Sequence, residues 1–203
     1  MFSISYCPSN DLLLTGMDGQ IAVWDLATRT PIETLLEPGN INAIAFSDDG
    51  KLFAASSAEG ITYFWEVQGK SFTQVAQYEQ NGEALSLDFS HDGKLLAIGG
   101  KEGAAYLIDL SIYQEIARIP HVIEVTSVAF SSEGAYLATV SFKATQLWDV
   151  SKIEPIYKDN IMEVACSRIT HNMSQTKWEQ LFFDEPYRSI CPALPVDDST
   201  ANE

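Results

Sequence analysis

The stretch AFSDDGKLFAASSAEGITYFWEV, Ala45 to Val67, sets a turn, two β-rich runs and a tryptophan in a fixed order. The order returns as DFSHDGKLLAIGGKEGAAYLIDL, Asp88 to Leu110, and as AFSSEGAYLATVSFKATQLWDV, Ala129 to Val150. A degraded copy, SYCPSNDLLLTGMDGQIAVWDL, occupies Ser5 to Leu26. Trp24, Trp65, Ile108 and Trp148 follow one another at 41, 43 and 40 residues, and Tyr6, Phe46, Phe89 and Phe130 at 40, 43 and 41. Two independent marks share one period. Within the second copy the runs INAIAF, KLFAAS, ITYFWEV and SFTQVAQY are rich in β-branched and aromatic residues, and turn formers separate them. Gly50, Gly93 and Gly134 recur at one turn, where a left-handed backbone is cheap only for glycine.

A period of ~40 to 45 residues with four strands per unit predicts a propeller of repeated four-stranded antiparallel sheets. Small residues crowd the second strand of each unit, in AASS, AIGG and ATVS, where neighbouring sheets must approach closely, and bulk returns on the third strand as Trp24, Trp65 and Trp148. The dipeptides in VWDL, FWEV, LIDL and LWDV stand where the WD-repeat family has its Trp-Asp pair, and the chain resembles that family over Phe2 to Tyr157. The expected fold is all-β: four WD-type blades, about 2–38, 39–80, 81–121 and 122–157, forming a partial or open propeller. Trp24, Trp65, Trp148, Phe46, Phe89, Phe130 and Trp178 are the expected structural aromatics.

The resemblance also implies a hydrogen-bonded brace in each blade, built from His, Ser or Thr, Trp and Asp. Only His121, nine residues before Phe130, keeps the histidine. Its own repeat has Phe142 at the aspartate position, six residues before Trp148, where the other repeats have Asp18, Glu59 and Glu102. No blade has the full set, so rigidity is expected mainly from apolar packing.

After Tyr157 the period stops. Residues 158–203 predict a short helical cap and a Pro-rich end: Ile161, Val164, Ala165 and Ile169 share one helical face, and Ser174 caps a second short helix carrying Trp178, Leu181 and Phe182. Ala165-Cys166, Arg168, Asn172, Trp178, Asp184 to Arg188, Cys191-Pro192 and Leu194-Pro195 resemble a tail that closes bacterial, cyanobacterial-type multidomain WD-repeat proteins. The chain is accordingly expected to be the C-terminal part of a longer bacterial sensor or signalling protein.

Composition narrows the chemistry. Among 203 residues, 28 Asp and Glu stand against 12 Lys and Arg, a net charge of -16 that repels phosphate backbones and anionic lipid, so neither nucleic acid nor membrane is an expected partner. Three cysteines are too few and too odd in number for a disulfide framework, which fits a cytoplasmic protein. Cys166 and His171 lack an orienting third residue for catalysis, and Cys166, His171 and Cys191 lack the close ligand pairs of a zinc site. No enzyme activity and no cofactor are expected. The remaining expectation is a protein-interaction scaffold whose loops carry Asp18, Glu37, Glu59, Glu79, Glu102 and Glu124 beside Lys101, His121 and Lys143. From these, Asp18, Glu59, Lys101, Glu102, His121 and Lys143 are the candidate contacts to a basic protein or peptide. A solvated acidic surface with no partner is the competing reading of those loops; the alternative functions are a structural or assembly role for a truncated propeller that oligomerises and, behind it, an enzyme using Cys166 and His171. An arc of four blades also leaves apolar residues such as Leu13, Val23, Leu137 and Leu147 in part uncovered, to be buried by missing upstream blades or by a second copy.

Overall fold

The computed structural model describes residues 3–7, 9–151 and 153, and among these every regular element is a strand. The cap expected at 158–203, with Trp178, Cys166, His171 and Cys191, lies outside the described residues, as does the expected fourth strand of the last repeat. The strands are β1 (Ser3–Cys7), β2 (Leu12–Asp25), β3 (Thr30–Phe46), β4 (Leu52–Ser57), β5 (Ile61–Gln68), β6 (Ser71–Glu79), β7 (Ala84–Phe89), β8 (Leu95–Gly100), β9 (Ala104–Asp109), β10 (Gln114–Pro120), β11 (Val125–Phe130), β12 (Tyr136–Ser141) and β13 (Thr145–Asp149). They form antiparallel sheets in the orders β1 to β6, β7 to β10 and β11 to β13.

The long sheet is two repeats joined by one strand. The first part of β3, from Thr30 to Asn40, pairs with β2, and its second part, from Ile41 to Phe46, pairs with β4. The expected boundary between the first two blades, at 38/39, falls inside this strand, where Gly39 takes φ 82°. Each inner aromatic meets the same partner in register: Tyr6 opposite Leu13, Phe46 opposite Phe53, Phe89 opposite Leu96 and Phe130 opposite Leu137. The period read from the sequence is thus a period of strand pairing.

Side chains that bond their own backbone build the turns. Ser47 Oγ accepts from Leu52 N at 3.0 Å and donates to Asp49 Oδ1 at 2.8 Å; Ser90, Leu95 and Asp92 repeat the pair of bonds. Gly50, Gly93 and Gly134 close these turns at φ 67°, 68° and 69°, as expected. The aspartate after the third-strand tryptophan starts the next turn: Asp25 Oδ1 accepts from Ala27 N at 2.9 Å, and Asp149 Oδ1 from Ser151 N at 3.1 Å.

The apolar core lies in three seams between successive repeats. Leu12, Leu14, Ile21 and Val23 pack on Ile41, Ile44 and Phe53; Ala54 and Phe64 pack on Phe89, Leu96, Tyr106 and Ile108; Ala97, Leu107 and Ile119 pack on Val125, Val128 and Leu137. The close approach expected at the small second strand is real: a Cβ on Gly99 would lie 2.7 Å from the Val125 carbonyl oxygen. One expectation fails. Val23 and Leu137 are fully buried, because strand alternation turns both toward an internal seam, whereas Leu147, on the other face, is 68% exposed.

Candidate functional site

The brace positions show what this fold keeps of its stiffening network. Trp148 Nε1 donates to Thr139 Oγ1 at 3.0 Å, and Trp24 Nε1 to Thr15 Oγ1 at 3.3 Å. Trp65 Nε1 is buried without a partner. The reason is register: Thr15 faces Ile4 and Thr139 faces Val128, but the residue facing Ile44 is Ala55. Trp65 stacks on Phe53 instead, with ring centroids 6.0 Å apart and planes 3° from parallel.

The histidine position proves to be filled in three repeats by three different polar residues. Glu37, Gln80 and His121 each stand nine residues before the inner aromatic, and each buries a side-chain atom, Oε1, Oε1 and Nε2 respectively, with no hydrogen-bond partner. Glu37 is only 7% exposed, so it is not the solvated rim carboxylate the sequence suggests. Burial raises its carboxyl from 4.5 to about 7. The Tyr63 phenol beside it is pushed up by burial first and by the Glu37 and Glu59 carboxylates second. His121 is held below the usual imidazole value by burial, and its ring meets the edge of Trp148 with centroids 6.3 Å apart. The spacing that marked His121 marks the other two as well.

The six candidate contact residues share one end of the sheets, where the turn between second and third strands meets the loop joining successive repeats. Ala58 N donates to Asn40 O at 2.8 Å and Lys101 N to Glu83 O at 2.9 Å. A Cβ on Gly39 would lie 2.6 Å from Glu59 Cγ, and one on Gly82 2.3 Å from Glu102 Cγ, so glycine in the loop makes room for each acidic side chain. Asp18 pairs with Asn40 across β2 and β3. Lys101 Nζ bonds Glu83 Oε1 at 2.6 Å, which holds its ammonium above the ordinary value. His121 and Lys143 line a cavity of about 490 Å³ with Pro120, Ile123, Ser141 and Gln146. Asp18, Glu59, Glu102 and Lys143 are exposed. Among the described residues no group of three or more His, Cys, Asp or Glu is placed to hold a metal ion.

Antiparallel sheets, a tryptophan bonded to a threonine of its own sheet, and an aspartate opening the next turn recur along the described residues. Residues 1–25 and 29–66 match the family described as WD domain, G-beta repeat. The chain is 27% identical over 158 residues to pre-mRNA-processing factor 19 of Oryza sativa subsp. japonica, covering 74% of this chain and 30% of that protein. It is 25% identical over 162 residues to pre-mRNA-processing factor 19 homolog 2 of Arabidopsis thaliana, with the same two shares of 74% and 30%. A shorter likeness, 33% over 60 residues, is to the U3 small nucleolar RNA-associated protein 18 homolog of Arabidopsis thaliana, across 30% of this chain and 11% of that protein. The chain spans less than a third of the length of each of these relatives.

Proposed function

We propose that the chain is a non-catalytic, cytoplasmic protein-interaction module: four WD-type blades over residues 1–157, open as an arc, whose acidic end takes a basic protein or peptide. The observation that carries this reading is the pairing at that end. Glycines 39 and 82 seat Glu59 and Glu102, and Lys101 is neutralised by Glu83, so the exposed charge left around Asp18, Glu59 and Glu102 is negative. WD repeats support a scaffold of this kind. The parent as a bacterial multidomain protein rests on the 158–203 tail; the plant relatives lend it no support. The enzyme alternative rests on Cys166 and His171, outside the described residues.

The test is calorimetric titration with a Lys- and Arg-rich peptide at two salt concentrations. Affinity should fall as salt rises, because exposed charges are screened over about 8 Å at physiological ionic strength. It should fall again in the Glu59→Gln/Glu102→Gln double variant. Affinity that is flat in salt and unchanged in the variant would end the basic-partner reading.

A further inference from the structure

The exposed large apolar side chains collect at the two ends of the repeat array. Ile4, Tyr6 and Trp24 are exposed in the first repeat at 68%, 49% and 36%, and Tyr136 and Leu147 in the last at 44% and 68%, while the second and third repeats expose only Val75 and Ile112.

Their positions follow the rule of the internal seams. In each seam the later sheet offers four places: the inner-strand residue two before the aromatic, the aromatic, its second-strand partner, and the third-strand tryptophan position. Ile44, Phe46, Phe53 and Trp65 fill them in the first seam, and Val128, Phe130, Leu137 and Trp148 in the third. In the first sheet the same places are held by Ile4, Tyr6, Leu13 and Trp24. The earlier sheet of a seam covers them with the residues flanking the second-strand partner and the one before the tryptophan position. These are Leu12, Leu14 and Val23 in the first seam, and Leu52, Ala54 and Phe64 in the second. Their counterparts in the last sheet are Tyr136, Ala138 and Leu147.

A polar tie points the same way. Ile44 N donates across the first seam to Ser3 Oγ at 2.9 Å, and Val128 N across the third to Ser86 Oγ at 3.2 Å. Both serines stand three residues before the inner aromatic. Ser127 holds that place in the last sheet and is exposed, and Ile4 holds the place of the donors.

We propose that two copies of this chain join head to tail, the face of Ile4, Tyr6, Leu13 and Trp24 of each seating on the face of Tyr136, Ala138 and Leu147 of the other, with Ser127 Oγ accepting the Ile4 amide hydrogen. A second copy is the occupant because the covering surface each face calls for is one this chain itself leaves uncovered among its described residues. A heterologous contact of this kind closes when its rotation returns on itself, and two identical seams consume both faces of both copies. The basic-partner reading is independent of this one: its test reads salt-dependent peptide affinity, and this one reads mass.

Light scattering on the full chain over a concentration series should give twice the 22.4 kDa chain mass. Ile4→Asp and Leu147→Asp should each be monomeric with an unchanged circular dichroism spectrum. An equimolar mixture of the two should recover the dimer, because the intact last sheet of one meets the intact first sheet of the other. Ser127→Ala, at an exposed position, should leave the monomer fold intact and weaken the dimer about tenfold. A wild-type chain monomeric at every concentration, a dimer indifferent to these substitutions, a mixture that stays monomeric, or a ladder of growing species would each overturn the proposal.

Discussion

Glu37→Gln isolates the least comfortable group in the fold. The Glu37 carboxyl is 7% exposed, its Oε1 has no partner, and burial moves its titration from 4.5 to about 7. Its folded value lies above its unfolded value, so its contribution to stability is fully present below pH 4.5 and is lost as pH rises through 7. The shift of 7 minus 4.5 corresponds at most to about 3 kcal/mol, at 1.36 kcal/mol for each pH unit. Glutamine has the shape of the protonated acid and does not titrate. The variant and wild type should therefore be within about 1 kcal/mol of each other at pH 5, and the variant's advantage should grow by about 2 kcal/mol by pH 8. Urea denaturation at both pH values measures this, and taking the difference between the two proteins cancels the pH response of every other group. Parallel stability curves for variant and wild type from pH 5 to 8 would refute the buried-acid account.

Gly50→Ala should destabilise more than Gly93→Ala. Both sit in the left-handed region, which costs an alanine about 1–2 kcal/mol, but a Cβ on Gly50 would also lie 2.1 Å from Ser9 Oγ, while the space at Gly93 is open; urea midpoints decide. Ser86→Ala strands the Val128 amide in the third seam and should cost about 1–3 kcal/mol by the same measurement. Lys70→Met removes the first cause of the Asp25 titration lying at about 2, with the Thr28 amide as the second. Because that value is below the ordinary 3.8, the stabilisation is present above 3.8 and lost as pH falls through 2, so the variant's Asp25 should titrate at higher pH by NMR and its acid unfolding should begin earlier.

The fold was legible because its marks are redundant. The inner aromatic, the glycine turn and the third-strand tryptophan each report the same period, and the register of Tyr6 with Leu13 through Phe130 with Leu137 follows them. What stayed hidden depended on one-residue shifts. From the second-strand partner to the tryptophan position is 11 residues in the first and last repeats, as from Leu13 to Trp24, but 12 from Phe53 to Trp65. Counting back nine residues from Trp65 therefore reaches Ser56 rather than Ala55, and a shift of one residue turns a side chain to the other face. The candidate site was half legible. Spacing alone placed Glu59 and Glu102 in equivalent turns, and the nine-residue spacing to the inner aromatic marks Glu37 as it marks His121, but a charged residue type argues for solvent, so the 7% exposure of Glu37 emerges only from the fold.

The three seams do not share their polar ties equally, and this ranks them. The first combines the Ser3 bond to the Ile44 amide, Asn10 Nδ2 donating to Gly50 O at 2.8 Å, and the Lys70 pair with Asp25. The third combines the Ser86 bond with Phe130 N donating to Asp88 Oδ2 at 2.6 Å, and its later sheet keeps the Trp148 bond to Thr139. The middle seam has Ala43 where the others have serine, and Ile108 where the others have tryptophan. Its ties lie toward the edges: His91 with Asp48, both exposed, and Tyr78 with Glu115. Between them Phe64 packs against Tyr113 with centroids 5.0 Å apart, and Leu96, Ile98 and Ile108 are fully buried. Apolar packing holds surfaces together without fixing their register as a directed hydrogen bond does, so the middle seam can slide or hinge at less cost than its neighbours. In a two-copy ring the new seams would carry both a serine and a tryptophan, and the two middle seams, on opposite sides, would be where such a ring is most easily deformed.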